Sequence, residues 1–233
     1  MYRLYVGNKN YSSWSLRPWV LLRERGIAFD ERLVPFEGDA TWAAFRRFSP
    51  TGRVPCLHDG GTVVWDSLAI VEYLAERHPS IWPADPGARA WARCAAAEMH
   101  SAFQELRTRC PMSCGMRVRL SAVAPPLERD IARIAELWQE GLARHGGPFL
   151  AGGAFTAVDA FFMPVAFRVQ TYGLELPEAA AAYAKRMLER PAMRSWYADA
   201  LAETWRDEPH DAEIRASGTV MADLRAAGSR ATA

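Results

Sequence analysis

Cysteine is scarce in this chain of 233 residues, and the charges of its side chains nearly cancel. Its four cysteines have a spacing that makes neither a disulfide framework nor a zinc site, and the five histidines form no metal-ligand pair. The formal net charge is +1 and the arginines are dispersed, so no basic surface for nucleic acid is indicated. These features argue against a disulfide scaffold, metal catalysis and a nucleic-acid partner.

Long apolar runs are also missing. No stretch approaches the roughly 20 residues that a membrane-spanning helix needs, so we expect no membrane association. Met1 leads directly into a charged, strand-like segment, which predicts no secretory signal and a cytoplasmic location. Because 50% of the residues are hydrophobic, a substantial core is expected, and the length suits a small domain followed by a larger one.

Hydrophobic periodicity divides the chain into two parts. Residues 1–78 alternate strand and helix patterns, with helices expected near 15–25, 41–48 and 67–77 and a strand near 29–34. The proline-rich residues 79–87 read as a linker, residues 88–215 read as helical throughout, and residues 216–233 read as a loosely held tail. The sequence therefore predicts an α/β domain followed by an all-α domain.

The most informative segment begins with Arg53, Val54 and Pro55 and continues through an Asp-Gly-Gly turn to Asp66 and Ser67. A proline at the start of a strand removes one ladder donor, so Val54 can offer its own N–H and C=O to an extended peptide. Asp66 and Ser67 open a helix whose unpaired N–H groups suit a carboxylate, although both residues also suit ordinary helix capping. A small acidic peptide such as glutathione meets both requirements.

A second polar segment lies between the first strand and the first helix, where residues 12–17 read Ser-Ser-Trp-Ser-Leu-Arg. Ser15 is expected to cap that helix and Gly26 to close it. A hydroxyl at this helix N-terminus could lower the pKa of a bound thiol, because the helix dipole favours negative charge there. Taken alone, three serines in a loop more often reflect loop polarity and capping, and it is the downstream segment that favours the functional interpretation.

Together, these segments resemble the glutathione transferase family, which has a cis Val-Pro pair and an acid-Ser pair opening the next helix. Residues 12–17 are similar to the Ser-Ser-Cys-Ser-x-Arg loop of its zeta class. Carried over, Ser12 matches the catalytic serine, Ser13 its supporting neighbour and Arg17 the arginine, with Tyr11 as the reserve candidate. Trp14 occupies the cysteine position, which argues against zeta-type isomerase activity and against a mixed disulfide.

The resemblance covers roughly residues 1–206 and implies a thioredoxin-like N-terminal domain and a C-terminal helical bundle. It implies a detoxifying transferase that activates glutathione with a serine hydroxyl and conjugates it to a small, largely apolar electrophile. Glutathione is the co-substrate, no metal is implied, and the protein is expected to be a homodimer. Glutathione would be bound by the segment already described, namely Arg53, Val54, Pro55, Asp66 and Ser67.

The resemblance also places a second-substrate pocket between the domains, against Tyr11, Trp14 and a helix from about His100 to Met116. Apolar side chains at Phe103, Met112 and Met116 suggest an adaptable pocket, although such residues also fill ordinary cores. Either of two arginines, Arg107 or Arg109, could attract a carboxylate there.

Two alternatives to the transferase stay open at this point. One is a glutathione-binding or protein-interaction module without catalysis. The other is a glutathione-dependent isomerase or thiol-redox enzyme, the redox form depending on Cys110 or Cys114.

Thr156 and Asp159 form the pattern of a capping box with Asp in place of Glu. This segment resembles the folding motif of the family's helical domain, so we expect Asp159 to be structural.

Overall fold

The computed structural model of the chain describes residues 1–225, of which the first 75 form a four-stranded sheet flanked by helices. The elements are β1 (Tyr2–Val6), α1 (Ser13–Glu24), β2 (Phe29–Leu33), α2 (Thr41–Arg46), β3 (Cys56–Asp59), β4 (Thr62–Trp65) and α3 (Ser67–Ala75). The strand order is β2-β1-β3-β4; β1 and β2 are parallel, and the other pairs are antiparallel. The predicted thioredoxin-like arrangement is confirmed.

Helix α1 joins this sheet to the rest of the molecule. Most of its apolar residues, among them Leu16, Trp19 and Val20, are fully buried, and the helix packs against α3 and against helices of the second half. The helix begins two residues earlier than predicted, with Ser12 at the N-cap position and Ser15 inside the first turn. The polar loop therefore lies at the point where the two halves meet.

Helices dominate the second half. They are α4 (Pro86–Ser101), α5 (Gln104–Arg109), α6 (Pro125–His145), α7 (Ala157–Tyr172), α8 (Glu178–Leu188), α9 (Pro191–Ala202) and α10 (Glu208–Ser217). Between α3 and α4, the chain forms only a short 3-10 turn at Pro79–Ile81. Almost all of α7 is buried, and it contacts α1, α4 and α8, so it forms the centre of the bundle. Within residues 1–225, no helix is both long enough and apolar enough to span a membrane.

The predicted capping box at the start of α7 is confirmed. Asp159, fully buried, accepts hydrogen bonds from the backbone N–H groups of Thr156 and Leu150, each at 2.9 Å. The Tyr183 hydroxyl donates a third bond at 2.9 Å. Although these donors favour the ionised form, burial outweighs them and raises the pKa of Asp159 to about 6. Asp159 therefore joins α7, α8 and the preceding loop.

Two expectations for the second half are wrong. First, the region is not helical throughout, because β5 (Met116–Leu120) pairs antiparallel with β6 (Gly218–Asp223). Apolar residues alternate with Arg117 and Arg119 in β5, a period-two pattern that favours a strand. Second, residues 216–225 are not a loose tail, because they end α10 and form β6. The rest of the predicted tail, 226–233, lies outside the described residues.

Candidate active site

Two adjoining cavities lie on the sheet domain, and the larger of them is also lined by the second half of the chain. The larger has a volume of about 610 Å³ and the smaller about 470 Å³. Trp14, Arg53 and Val54 line both, so the cavities form one continuous cleft. The two segments singled out from the sequence therefore meet on one surface.

The smaller cavity is built around the start of β3. Val54 and Pro55 line it, and the peptide bond between them is cis. The ladder that joins β3 to β1 begins at Cys56, so Val54 lies outside it. The Val54 backbone therefore lies beside the cavity and outside that ladder.

Asp66 and Ser67 also line the smaller cavity, at the N-terminus of α3. The Asp66 carboxylate accepts the backbone N–H of Leu68 at 2.8 Å, so it does cap the helix. Asp66 has a positive φ of 74°, which is uncommon for a residue other than glycine. The buried Ser67 hydroxyl accepts a hydrogen bond from Arg17 Nη1 at 3.3 Å. Capping and cavity lining thus coexist at this pair.

Ser12 and Ser13 line the larger cavity at the N-terminus of α1. The Ser12 hydroxyl donates to Ser15 Oγ at 2.7 Å, and Ser15 Oγ also accepts the backbone N–H of Gly7 at 3.2 Å. Ser12 makes no side-chain capping bond to the helix. The Ser12 hydroxyl proton is therefore directed at Ser15 Oγ, which also accepts the backbone N–H of Gly7.

Tyr11 also lines the larger cavity, but its hydroxyl is held by the C-terminal part of the chain. It donates to Asp211 Oδ1 at 3.0 Å and accepts from Arg225 Nη1 at 2.8 Å. Burial raises the pKa of Tyr11 above its ordinary value, and the Asp211 carboxylate adds to this effect. The one proton of this hydroxyl is therefore engaged by Asp211, in the C-terminal part of the chain.

Several lining residues were not anticipated from the sequence. Arg168 reaches the cavity from α7, and Asp207, His210 and Glu213 reach it from α10 and the residue before it. His210 Nδ1 lies 2.5 Å from Asp207 Oδ2. No local motif marks these residues, because they come from parts of the chain distant from both polar segments.

Of the two arginines considered for the pocket, only Arg107 lines it. Arg109 is exposed and pairs with Glu105 at 2.8 Å. Met112 also lines the larger cavity, whereas Phe103 and Met116 are buried in the core. The helix expected from His100 to Met116 is interrupted after Ser101 and ends at Arg109, just before Pro111.

The surroundings of the buried cysteines disfavour thiol chemistry. Cys56, Cys110 and Cys114 are buried free thiols, and Cys94 is exposed. Burial raises the pKa of Cys56 to about 11 and that of Cys110 to about 12, and it raises the pKa of Cys114 further. Thiol chemistry requires the thiolate, so these three groups are in environments that oppose it. Within residues 1–225, no group of histidine, cysteine and acidic residues is arranged to hold a metal ion.

The chain is similar to several known proteins. Residues 11–77 match the family model described as "Glutathione S-transferase, N-terminal domain". A zeta-class glutathione S-transferase of Euphorbia esula is 31% identical over 159 residues, covering 66% of this chain and 70% of the relative.

Solved structures agree with this match. The theta-class glutathione S-transferase of Xanthomonas axonopodis pv. citri, crystallised with glutathione bound, has a TM-score of 0.62 and 26% identity. The alignment covers 84% of this chain and 96% of that protein. A glutathione transferase homologue of Burkholderia, also with bound glutathione, shares the fold with a TM-score of 0.65 and 24% identity, covering 85% of this chain and 97% of that one.

Proposed function

Because the chain belongs to the glutathione S-transferase family, we propose that it binds glutathione and conjugates it to a small, largely apolar electrophile. One observation carries this proposal: Val54, the N-terminus of α3 and the serine loop at the N-terminus of α1 line one continuous cleft. In this proposal, residues 1–78 bind glutathione and residues 88–215 contribute the pocket for the second substrate. We assign the protein to the cytoplasm.

Glutathione is an extended tripeptide with a carboxylate at each end and a thiol in the middle. The backbone N–H and C=O of Val54 would bind its central residue as an added strand does. Asp66 and Ser67, at the N-terminus of α3, would bind the charged γ-glutamyl end. Arg53, which lines both cavities, is placed to attract a carboxylate of the peptide.

This docking would bring the thiol to the N-terminus of α1. When a thiolate forms there, the Ser12 hydroxyl can turn from Ser15 to donate to the sulfur, and Ser15 still accepts the Gly7 N–H. The donated bond and the helix dipole both favour the thiolate. The thiol proton passes to solvent water, the thiolate forms a bond to the electrophilic carbon, and the bond from that carbon to the leaving group breaks with its electron pair going to the leaving group. Positioning and electrostatics supply the catalysis, without a covalent enzyme intermediate.

We also propose that the protein is a homodimer. β4 is an edge strand of the sheet, and Trp65 at its end is 45% exposed. With Val63, Val64 and Leu68, Trp65 lines an apolar hollow on the outer side of the first domain. An unpaired edge beside exposed apolar side chains is suited to a second subunit.

Calorimetric titration with glutathione tests the binding site. We expect binding in the micromolar-to-millimolar range by wild type and loss of binding by an Asp66→Ala/Ser67→Ala variant. Asp85→Ala is a matched control, because Asp85 caps α4 in the same way and lies outside both cavities. If wild type does not bind glutathione, the fold serves another function.

Conjugation is tested separately with methyl 4-chloro-3,5-dinitrobenzoate, whose chloride leaves when a thiolate attacks. Enzyme-dependent release of chloride, lost without glutathione, is expected. Binding of glutathione without conjugation of this or any related chloronitroarene would favour the non-catalytic module.

A further inference from the structure

Three arginines lie close together behind Trp14, on the helical side of the cleft. Arg17 is fully buried, Arg168 is 3% exposed and Arg107 is half-buried. The guanidinium of Arg17 lies 4.1 Å from the Trp14 ring centre, and that of Arg107 lies 5.0 Å from it. The three come from α1, α5 and α7, which converge at this point.

Their hydrogen bonds go to neutral groups. Arg168 donates from Nε to the carbonyl of Cys110 at 2.7 Å and from Nη1 to that of Pro164 at 3.2 Å. Arg107 donates from Nε to the carbonyl of Ala102 at 3.0 Å and from Nη2 to that of Met99. Arg107 Nη1 and Arg168 Nη2 have no hydrogen-bond partner among residues 1–225.

No carboxylate of residues 1–225 forms an ion pair with any of the three. Burial lowers the pKa of Arg168 to about 10, and repulsion by Arg107 adds to this effect. Burial also lowers the pKa of Arg17, with repulsion by Arg107 next in size. Two carboxylates act on the cluster from beyond ion-pair distance: Asp66 raises the pKa of Arg17 and Asp130 raises that of Arg107, whereas no carboxylate is among the groups that shift the pKa of Arg168. Because buried charges in proteins are normally paired, the absence of a carboxylate in direct contact, among residues 1–225, leaves this net-positive cluster open to an anion.

The cluster opens onto the larger cavity only. Arg107 and Arg168 line that cavity and do not line the smaller one, where the carboxylate site of glutathione is proposed. The acidic residues of the larger cavity come from other segments, namely Asp39 before α2 and Asp207 and Glu213 around α10. None of them is among the groups that shift the pKa of the arginines.

We propose that the electrophile carries a carboxylate, which binds to the free N–H groups of Arg107 and Arg168 in the larger cavity. The proposal rests on the proposed transferase function and names its substrate class. Guanidinium groups bind carboxylates with paired, charge-assisted hydrogen bonds. Trp14, Pro111 and Met112 provide apolar contact for the rest of the molecule. The substrates are therefore small carboxylic acids with an apolar body and an electrophilic carbon.

The test compares 4-chloro-3,5-dinitrobenzoate with its methyl ester, which has the same leaving group and no charge. Each kcat/KM is divided by the rate constant of the uncatalysed reaction with glutathione, which removes the difference in intrinsic reactivity. We expect the normalised ratio of acid to ester to be at least about tenfold in wild type and to fall about tenfold or more in Arg107→Gln.

Two further variants identify the cause. Arg107→Lys keeps the positive charge but lacks the paired N–H donors of the guanidinium, so it should show part of the wild-type preference for the acid. Arg109→Gln removes an exposed arginine of the same short helix, paired with Glu105, and should keep the wild-type ratio. Calorimetry with 3,5-dinitrobenzoate, which has no leaving group, measures binding without turnover and should show about tenfold weaker binding by Arg107→Gln.

The outcomes separate the two proposals. Two results would overturn the carboxylate site: turnover of the ester with no preference for the acid, or a preference for the acid that Arg107→Gln does not change. Neither result would contradict the proposed transferase function. If neither compound is conjugated, the transferase proposal fails for these substrates, and the calorimetric titration alone decides on the carboxylate site. Weaker binding of glutathione by Arg107→Gln, without a change in the acid-to-ester ratio, would mean that the anion belongs to glutathione, and this result also overturns the inference.

Discussion

Replacement of Ser12 by alanine tests the proposed activation of the thiol. In the structure the Ser12 hydroxyl donates to Ser15 Oγ, so it must give up that bond before it can donate to a thiolate. A bond between neutral groups contributes about 0.5–1.5 kcal/mol net, whereas a bond to a charged group contributes about 1.5–3 kcal/mol. The exchange therefore favours the thiolate by about 0.5–2 kcal/mol.

This energy converts into a pKa shift of about 0.4–1.5 for the bound thiol, at about 1.36 kcal/mol per unit. Ser12→Ala should raise the pKa of bound glutathione by that amount. At a pH below both pKa values, the thiolate fraction and the rate should fall about 3- to 30-fold. At a pH well above the thiol pKa values of both proteins, the rates of wild type and Ser12→Ala should become equal.

The assay is the pH dependence of kcat/KM for the electrophile at saturating glutathione, together with the ultraviolet absorbance of the bound thiolate. Ser13→Ala is the matched control, since Ser13 is its neighbour in the same cavity. Superimposable profiles for wild type and Ser12→Ala would refute the reasoning. A shifted pH profile in Ser13→Ala instead would assign activation of the thiol to Ser13.

Three further outcomes are expected. The pKa of Asp159 is raised to about 6 from 3.8, so its contribution to folding is present below pH 3.8 and is lost as the pH rises through 6. The free energy of unfolding should therefore fall by about 3 kcal/mol across that window in wild type, and Asp159→Asn should lack this component in urea titrations at each pH. A pyridyl disulfide reagent should modify Cys94 rapidly in the native protein and all four thiols only in denaturant, because the other three are buried; rapid modification of more than one thiol would contradict the burial. Arg225→Ala should lower the free energy of local opening of β6 by about 2 kcal/mol, because the side chain is 2% exposed and bonds Tyr11 and Asp211; unchanged hydrogen exchange in β6 would count against that role.

The side of the cleft that the first domain provides was predictable from the sequence, because the signals for it lie in short stretches of neighbouring residues. A proline fixes the backbone of the residue before it, and an acid followed by serine opens a helix within the next turn. Val54, Asp66 and Ser67 therefore appear in the cleft where the sequence alone placed them. The sequence left open whether Arg107 or Arg109 lines the pocket. Residues two positions apart on a helix lie on nearly opposite faces, so only one of the two can line it.

The far side of the cleft was not predictable in the same way. Arg168 lies on a helix whose sequence is apolar nearly all round, and its position at the cavity depends on contacts distant in sequence, such as its bond to the Cys110 carbonyl just after α5. His210 lies in α10, which the sequence predicts only as part of the helical domain, with no indication that it lines a cavity. The strand Met116–Leu120 did carry a visible alternation, and its helical interpretation was wrong because helical patterns surround it.

The hydrogen bond between Arg225 and Tyr11 joins residues 214 positions apart in the chain. Ribosomes add about 5–20 residues per second, so about 10–40 s separate the synthesis of these two residues. For nearly all of that interval the Tyr11 hydroxyl lacks both of its C-terminal partners, because Asp211 is also made late. A nascent chain arrested just before residue 211 would therefore have the serine loop but neither group that holds the Tyr11 hydroxyl, and it would lack most of α10, which lines one side of the cleft.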